Sequence, residues 1–296
     1  MPRKVTQPAT AYSTKFYLGL GFHGFHRIHY LEWGDASAFN SQETLVCVHG
    51  ITRNARDFDY LAGKLCKDYR VVCPDVVGRG DSDHIGTDDG YNYLQYNADM
   101  NALIARLGVT QVNWIGTSMG GIIGMVLASL PQSPIRRLVI NDIGPEVARD
   151  TLLTLSENME PKEDFDSRED VEAYLRVIYD EFAPMTDDDW KQLTKHSCRR
   201  TRQGKWRLKT DKCVGEAFRK SITYLNVDMW DAWDQISCPV LILRGKESSF
   251  LTEEVAEKML ATGPKTTLVE FENTGHTPTL RNDEQVNVIA DWLNNN

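Results

Sequence analysis

The stretch Gly116-Thr117-Ser118-Met119-Gly120 decides where the chemistry of this chain lies and how the chain folds around it. It follows an apolar run at residues 112–115 and precedes a second apolar run that starts at residue 121. This order predicts a strand that turns sharply into a helix, with small residues on both sides of the serine. Such a turn strains the serine backbone and lifts its hydroxyl above the sheet edge. We therefore expect Ser118 to act as a nucleophile.

Two backbone N–H groups are expected to face the same point in space. The N–H of Met119 follows the serine and points to where a negatively charged oxygen would form. The segment after His49-Gly50 closes an apolar strand, and its first free N–H, on Ile51, is the preferred second donor. The alternative for His49-Gly50 is an ordinary turn at a strand end.

A serine is a weak nucleophile and needs a base that a third group orients. His276 is the best base, because it lies in a Gly- and Pro-containing loop, residues 273–278, directly after the last apolar strand. The other histidines lie near the N-terminus, in a loop at residue 84 or in the middle of the chain, and they fit this role less well.

Composition restricts the class of protein. The chain has 296 residues, of which 41% are hydrophobic and 25% charged, and this suits one large α/β domain with room for an insertion. The net charge of −9 argues against nucleic acid or an anionic membrane as the main partner. A basic cluster at residues 199–207 favours a solvated hairpin over an anion site. The apolar run at residues 16–22 is too short and glycine-rich for a signal segment or a membrane span.

The cysteines and histidines show no metal-binding spacing, so we expect neither a metal nor an organic cofactor. Two of the six cysteines, Cys47 and Cys73, lie inside apolar strand patterns, where a thiol behaves as a small hydrophobic group. We expect reduced cysteines and a cytoplasmic protein, although spacing alone leaves a disulfide open.

Apolar strands alternate with amphipathic helices along most of the chain. This alternation predicts an α/β fold with a mostly parallel, doubly wound sheet and chemistry at the carboxyl ends of the strands. One helix ends at Gly108, and another closes the chain with Val286, Ile289, Trp292 and Leu293 on its inner face. The predicted strands lie at residues 25–33, 44–48, 69–73, 112–115, 137–140, 239–243 and 267–271.

The alternation breaks between residues 146 and 236, which are mostly helical in pattern. Ser167 with Asp170 and Thr186 with Asp189 have the spacing of helix-capping boxes, and Gln203-Gly204 favours the turn of a hairpin. We therefore predict a core formed by residues 1–145 and 237–296, with residues 146–236 inserted as a helical cap over the strand ends.

Taken together, these motifs resemble the α/β-hydrolase family over nearly the whole chain. The resemblance rests on His49-Gly50, on Asp75 with Gly78-Arg79-Gly80-Asp81-Ser82, on the turn at Ser118, on Asn141-Asp142-Ile143-Gly144-Pro145 and on Gly275-His276. It implies a serine hydrolase acting through an acyl-enzyme, with a carboxylic ester of a small to medium acid as substrate. Haloalkane and epoxide hydrolases of this fold normally use an aspartate nucleophile, so Ser118 argues against both.

Two alternatives remain open from the sequence. A carbon–carbon bond hydrolase of the dione-cleaving type uses the same triad, and a catalytically weakened binding protein could retain the same scaffold. The partner is in either case a small molecule, and the chain could be a monomer or a homodimer.

The acid of the triad is the least determined part of the site. The family usually carries an aspartate in the loop after the strand matched by residues 239–243, and this position falls here on Ser249 or Ser248. Asp142, at the end of an earlier strand, is our preferred acid, and some family members place their acid there. Asp142 could instead cap its own turn. Glu247 is the second candidate, and the third possibility is that no acid is present, through natural loss or a substitution at Ser249.

Two further groups of residues have both a structural and a functional interpretation. Asp75, Arg79 and Asp81 favour an internal hydrogen-bond network over substrate contacts. Trp190, Trp206, Trp230 and Trp233 could line a substrate pocket, and packing inside the cap is at least as good an explanation.

Overall fold

The computed structural model describes residues 12–39, 41–159, 164–180, 184–224 and 228–296. These ranges contain ten strands: β1 Tyr12–Gly21, β2 Gly24–Trp33, β3 Glu43–Val48, β4 Tyr69–Pro74, β5 Val112–Thr117, β6 Ile135–Asn141, β7 Cys198–Arg200, β8 Trp206–Leu208, β9 Val240–Gly245 and β10 Thr266–Phe271.

The same ranges contain ten α-helices. They are α1 Asp59–Leu65, α2 Tyr93–Leu107, α3 Met119–Ser129, α4 Arg149–Asn158, α5 Arg168–Ile178, α6 Asp187–Ser197, α7 Lys212–Tyr224, α8 Trp230–Gln235, α9 Glu253–Ala261 and α10 Asp283–Asn295.

Eight of the strands form one sheet, in the order β1-β2-β4-β3-β5-β6-β9-β10. The pairs from β4 to β10 are parallel, whereas β1 and β2 join as antiparallel strands at one side. The chain winds in one direction from β3 to β4 and in the other from β5 to β6, so the strand order reverses between β3 and β5. Crevices form at the carboxyl ends of strands at such a reversal. The predicted mostly parallel, doubly wound sheet is confirmed.

The sheet is buried on both faces because its central strands are apolar throughout. Val46 and Val48 of β3 pack into one hydrophobic core, and Leu45 and Cys47 pack into a second core on the opposite face. Alternate residues of a strand point to opposite faces, so a continuous apolar run serves both cores at once.

Local signals in the sequence also place the helices. Asn92 caps the start of α2 and Gly108 ends it with a left-handed backbone at φ 70°. Both predicted capping boxes are present, at the starts of α5 and α6. The predicted inner face of α10 is buried.

The strand β1 was not predicted. Phe16, Leu18 and Leu20 are exposed on one face, and Tyr17 is the one apolar side chain of β1 in the main core. The apolar pattern of β1 therefore gives little sign of a strand, which pairs with β2 along ten residues. Residues 1–11, part of the predicted core, lie outside the described residues. No helix in the described ranges has the length and apolar character needed to cross a bilayer.

Between β6 and β9 the chain leaves the sheet, and we call residues 146–236 the helical insertion. It contains α4 to α8 and the antiparallel hairpin of β7 and β8, whose turn includes the predicted Gln203-Gly204. A small hydrophobic cluster of its own, which includes Phe165, Val171 and Trp190, stabilises its outer part.

The close approach of α3 to the sheet generates a prediction about stability. A Cβ atom added to Gly120 would lie 2.0 Å from the carbonyl oxygen of Val48, a contact that only backbone movement can relieve. We expect Gly120→Ala to lower the free energy of unfolding by about 1–3 kcal/mol, measured from urea titrations.

The matched control is Ser129→Ala at the other end of α3, where the hydroxyl only bonds to Val126 O within the same helix. This change should stay within about 0.5 kcal/mol of the parent. An unchanged urea midpoint for Gly120→Ala would show that α3 is packed less tightly than described.

Candidate active site

Ser118 lies at the junction of β5 and α3 and has the strained backbone that the sequence predicts. Its φ of 49° and ψ of −114° are unusual for a residue with a side chain. The conformation is held on both sides, because the Ser118 N–H donates to Asn141 O at 3.0 Å and the Ser118 carbonyl accepts from Gly121 N at 2.8 Å. The hydroxyl therefore projects from a fixed point at the crevice.

His276, in the loop after β10, reaches the serine. Its Nε2 lies 3.1 Å from Ser118 Oγ, which is hydrogen-bond distance. The ring of Phe250 stacks on the His276 ring with centroids 3.8 Å apart and an angle of 18° between the planes. This stacking fixes the plane of the imidazole. Sequence reasoning missed Phe250, since nothing in its local pattern indicates a partner in the loop after another strand.

Asp142 contacts the other side of the imidazole. Its Oδ2 lies 2.7 Å from His276 Nδ1, and the residue is fully buried at the end of β6. Two more donors bind the carboxylate: Gly245 N reaches Oδ1 at 2.9 Å and Ser248 Oγ reaches Oδ2 at 2.6 Å. Gly245 ends β9, Ser248 lies in the loop after β9 and His276 lies in the loop after β10, so the contacts of the Asp142 carboxylate are across the sheet rather than within its own turn.

Glu247, Ser248 and Ser249, in the loop after β9, have different environments in the structure. Ser248 is buried, and its hydroxyl accepts Phe250 N at 3.1 Å while it donates to Asp142. Glu247 and Ser249 are exposed, and neither forms a described hydrogen bond with His276. Sequence reasoning considered Ser248 only as a substitute for the acid and missed its function as a hydrogen-bond donor to Asp142.

The two predicted oxyanion donors lie beside Ser118. Met119 is the first residue of α3, where backbone N–H groups have no acceptor within the helix. Gly50 and Ile51 line the same cavity as Ser118, and a Cβ atom on Gly50 would lie 3.8 Å from Ser118 Cβ. The start of α3 and the segment after β3 therefore both adjoin Ser118.

His49 anchors the end of β3. Val76 N donates to its Nε2 at 2.9 Å, so the proton is on Nδ1, which donates to Gly50 O at 2.7 Å. Burial lowers the pKa of His49 to about 4, and the ring is therefore neutral at neutral pH. His49 thus ties the segment after β3 to the segment after β4.

Arg79 contacts Ile51 and Met119, the two residues predicted to supply the oxyanion donors. Its side chain is fully buried, its Nε donates to Ile51 O at 2.8 Å, and its Nη2 lies 3.6 Å from Met119 Sδ. Tyr96 OH lies 3.0 Å from its Nη1. Arg79 does not line the cavity of Ser118, which agrees with the internal network favoured from the sequence.

Asp75 is the centre of a buried hydrogen-bond network, to which Asp81 contributes its backbone N–H while its side chain is exposed. Asp75 accepts the His29 ring at 2.6 Å, Ala55 N at 2.7 Å and Asp81 N at 2.8 Å. Burial would raise the pKa of Asp75, but its hydrogen bonds, chiefly from His29, bring the pKa below its usual value.

Among the described residues, His29, Asp75 and Asp81 are also the one grouping with the spacing of metal ligands. The Asp81 carboxylate already bonds Lys209 Nζ at 2.7 Å, and the His29 ring already bonds Asp75. Hydrogen bonds and an ion pair explain this grouping without a cation.

A cavity of about 370 Å³ opens over Ser118 and His276. Its lining is mixed, with apolar side chains such as Ile51, Leu155 and Phe250 beside polar ones such as Arg53 and Asn158. At its wall the Thr52 hydroxyl and the Tyr179 hydroxyl lie 2.7 Å apart, which joins the core to the helical insertion.

None of the four tryptophans considered from the sequence lines this cavity, so the pocket interpretation of them is wrong. Trp190 and Trp206 pack in the hydrophobic cluster of the insertion. Trp230 donates to the Glu146 carboxylate at 2.8 Å, and Trp233 is fully buried in the main core. A tryptophan in a helical pattern indicates burial, and the surface it meets is set by the tertiary packing.

Comparisons with known proteins agree with this fold. Residues 43–283 match the family model described as the alpha/beta hydrolase fold. A 3-hydroxybutyrate-oligomer hydrolase from Cupriavidus necator is 41% identical over 278 residues, which cover 91% of this chain and 94% of the relative. The esterase YbfF from Escherichia coli is 23% identical over 80% of this chain and 87% of its own.

Solved structures give the same result. An alpha/beta hydrolase from Novosphingobium aromaticivorans superimposes with a TM-score of 0.83 at 31% identity, covering 96% of this chain and 98% of its own. A protein from Rickettsia typhi superimposes with a TM-score of 0.86 at 32% identity, covering 97% of this chain and 99% of its own. The chain belongs to the α/β-hydrolase family.

Proposed function

We propose that this protein is a serine hydrolase that cleaves carboxylic esters through an acyl-enzyme. The observation that carries the proposal is the continuous contact from Ser118 Oγ to His276 at 3.1 Å and from His276 to Asp142 at 2.7 Å. A serine that contacts a base, which in turn contacts an orienting carboxylate, is the arrangement that activates a serine hydroxyl.

In the first step His276 Nε2 takes the proton of Ser118 as its oxygen bonds to the ester carbonyl carbon. The carbonyl oxygen becomes negative and is stabilised by the N–H groups of Met119 and Ile51. The imidazolium is stabilised by Asp142 on its Nδ1 side. His276 then gives the proton to the leaving alcohol, and the acyl group stays on Ser118.

Water reverses these steps in the second half of the reaction. His276 takes a proton from the water, whose oxygen attacks the acyl carbon, and the proton passes to Ser118 as the acid product leaves. Asp142 can keep one orientation throughout, because Gly245 N and Ser248 Oγ hold its two oxygens.

For the substrate, we propose a short oligoester of 3-hydroxybutyrate or a closely related hydroxyacid. The 41% identity with the 3-hydroxybutyrate-oligomer hydrolase supports this choice. The cavity of about 370 Å³ supports it too, because it lies at the small end of the range of about 300–1,000 Å³ for ligand sites. Its mixed lining suits a chain that alternates methyl groups and ester oxygens.

The two alternatives have less support. A dione-cleaving carbon–carbon hydrolase would use the same three side chains, but the identity with an oligoester hydrolase favours esters. The hypothesis of a weakened binding protein rested on the missing aspartate at Ser249, and the 2.7 Å contact of Asp142 with His276 argues against it. We further propose that residues 146–236 act as a lid, since Tyr179 hydrogen-bonds Thr52 beside the cavity.

The proposed nucleophile and the proposed substrate can be tested together. The intact protein should react with a fluorophosphonate probe, hydrolyse p-nitrophenyl butyrate and release monomer from the 3-hydroxybutyrate dimer. Ser118→Ala should abolish labelling and lower kcat by about a million-fold, because no other described hydroxyl lies at His276. Mass spectrometry of the labelled peptide identifies the site.

Ser129→Ala is the control, since it removes a serine hydroxyl from the same helix without touching the cavity. If the intact protein neither reacts with the probe nor cleaves any of these esters, the proposal of a serine hydrolase is wrong.

Substitutions at Asp142 and in the loop after β9 test which residue is the acid of the triad. Asp142→Asn should keep the size of the side chain but lower kcat for p-nitrophenyl butyrate by about four orders of magnitude, since an amide cannot stabilise the imidazolium. The matched control Glu247→Gln removes one carboxylate from the neighbouring loop and should leave kcat unchanged.

Ser249→Asp should give no gain in kcat, because the acid position is already supplied by Asp142. Full activity in Asp142→Asn, or a large gain in Ser249→Asp, would contradict this assignment. Thermal melts of each variant show whether a loss of activity reflects a loss of fold.

A further inference from the structure

A second, larger cavity of about 870 Å³ lies between the core and the helical insertion, next to the cavity of Ser118. Thr52, Asn158, Ile178 and Tyr179 line both cavities. The two spaces are therefore neighbours, and the hydrogen bond between the Thr52 and Tyr179 hydroxyls, 2.7 Å long, forms part of the wall they share. A chain-like ligand that is bound at Ser118 and is too long for the first cavity could extend into the second.

The second cavity has a basic lining in a protein whose net charge is −9. Four cationic side chains reach it: Arg199, Lys205, Arg207 and Lys212. This set includes much of the basic cluster at residues 199–207, which we interpreted from the sequence as a solvated hairpin. All four are exposed at the mouth of the cavity, as Arg200 and Arg202 are, and what distinguishes Arg200 and Arg202 is that neither lines the cavity.

Two of these four cations are already neutralised. Arg207 forms a two-pronged pair with the Asp164 carboxylate at 2.6 and 2.7 Å, and Lys205 pairs with Asp166. The carboxylate of Asp211, the other acid in the lining, is occupied by Tyr91 OH at 2.6 Å and by the backbone N–H groups of Gly86 and Cys213.

Arg199 and Lys212 remain. Within the part of the chain that the structure describes, no carboxylate lies within ion-pair distance of either side chain. Among the described residues, the cavity therefore presents two cations without an ion-pair partner, beside the ionised carboxylate of Asp211 and the polar groups of Gln203 and Thr210. An arginine fork and an ammonium group suit a carboxylate, which can accept bonds from both.

We propose that the second cavity binds the free carboxylate end of an oligo-hydroxyacid whose ester bond lies at Ser118. This inference rests on the proposed function and names the part of the substrate that the cavity recognises. In such an oligomer the carboxylate lies on the alcohol side of every ester bond, so the unit held by Arg199 and Lys212 is the leaving group. His276 protonates its alkoxide oxygen, and the acyl part stays on Ser118.

The test compares free acids with neutral esters in a variant without the two charges. The 3-hydroxybutyrate trimer and tetramer, their methyl esters and p-nitrophenyl butyrate are hydrolysed by the parent and by Arg199→Ala/Lys212→Ala. We expect KM for the free acids to be about tenfold higher in the double variant, because a charge-assisted hydrogen bond to the carboxylate is lost. We expect kcat to be much less affected. The parent should show a similarly raised KM for the methyl esters, on which the double variant has no further effect.

The control Arg202→Ala/Lys195→Ala removes the same net charge from exposed positions of the insertion that do not line the cavity. It should behave as the parent does. An equal rise of KM in this control would show that the overall field of the protein, rather than the cavity, attracts the acid, and would overturn the inference.

The failures can be told apart. If the parent cleaves the oligomers and the double variant has an unchanged KM for the free acids, this inference is wrong and the proposed function stands. If the parent cleaves p-nitrophenyl butyrate but no oligomer, the proposed substrate is wrong and this inference fails with it.

Discussion

The geometry of the candidate active site depends on one buried carboxylate. Asp142 accepts hydrogen bonds from Gly245 at the end of β9, from Ser248 in the loop after β9 and from His276 in the loop after β10. Because β6, β9 and β10 are neighbours in the sheet, a single side chain after β6 can reach the ends of the other two strands. Leaving such a group without its partners in a buried position is costly, so the loops are held where their donors satisfy it.

Much of this arrangement could be predicted from the sequence, because it depends on local patterns. The turn at Ser118 is written in five consecutive residues, and both capping boxes in α5 and α6 follow from side chains three positions apart. The doubly wound sheet follows from apolar runs that alternate with helices. His276 could be proposed as the base from the sequence because its loop follows the last strand.

What the sequence could not supply are contacts between distant segments. Asp142 and Glu247 both follow apolar strands, and only the tertiary arrangement shows that one carboxylate is buried against His276 while the other is exposed. The stacking of Phe250 joins two loops, and β1 exists by pairing rather than by its own pattern. The second cavity lies between two parts of the chain, so no single stretch encodes it.

The buried guanidinium of Arg79 has an electrostatic consequence. It lies behind both proposed oxyanion donors, on the carbonyl of Ile51 and the sulfur of Met119, and no carboxylate in the described residues pairs with it. In a poorly polarisable interior its field is weakly screened. We therefore expect the Arg79 charge to favour a negative oxygen above the serine, a contribution that is already present in the resting protein instead of being assembled at each turnover.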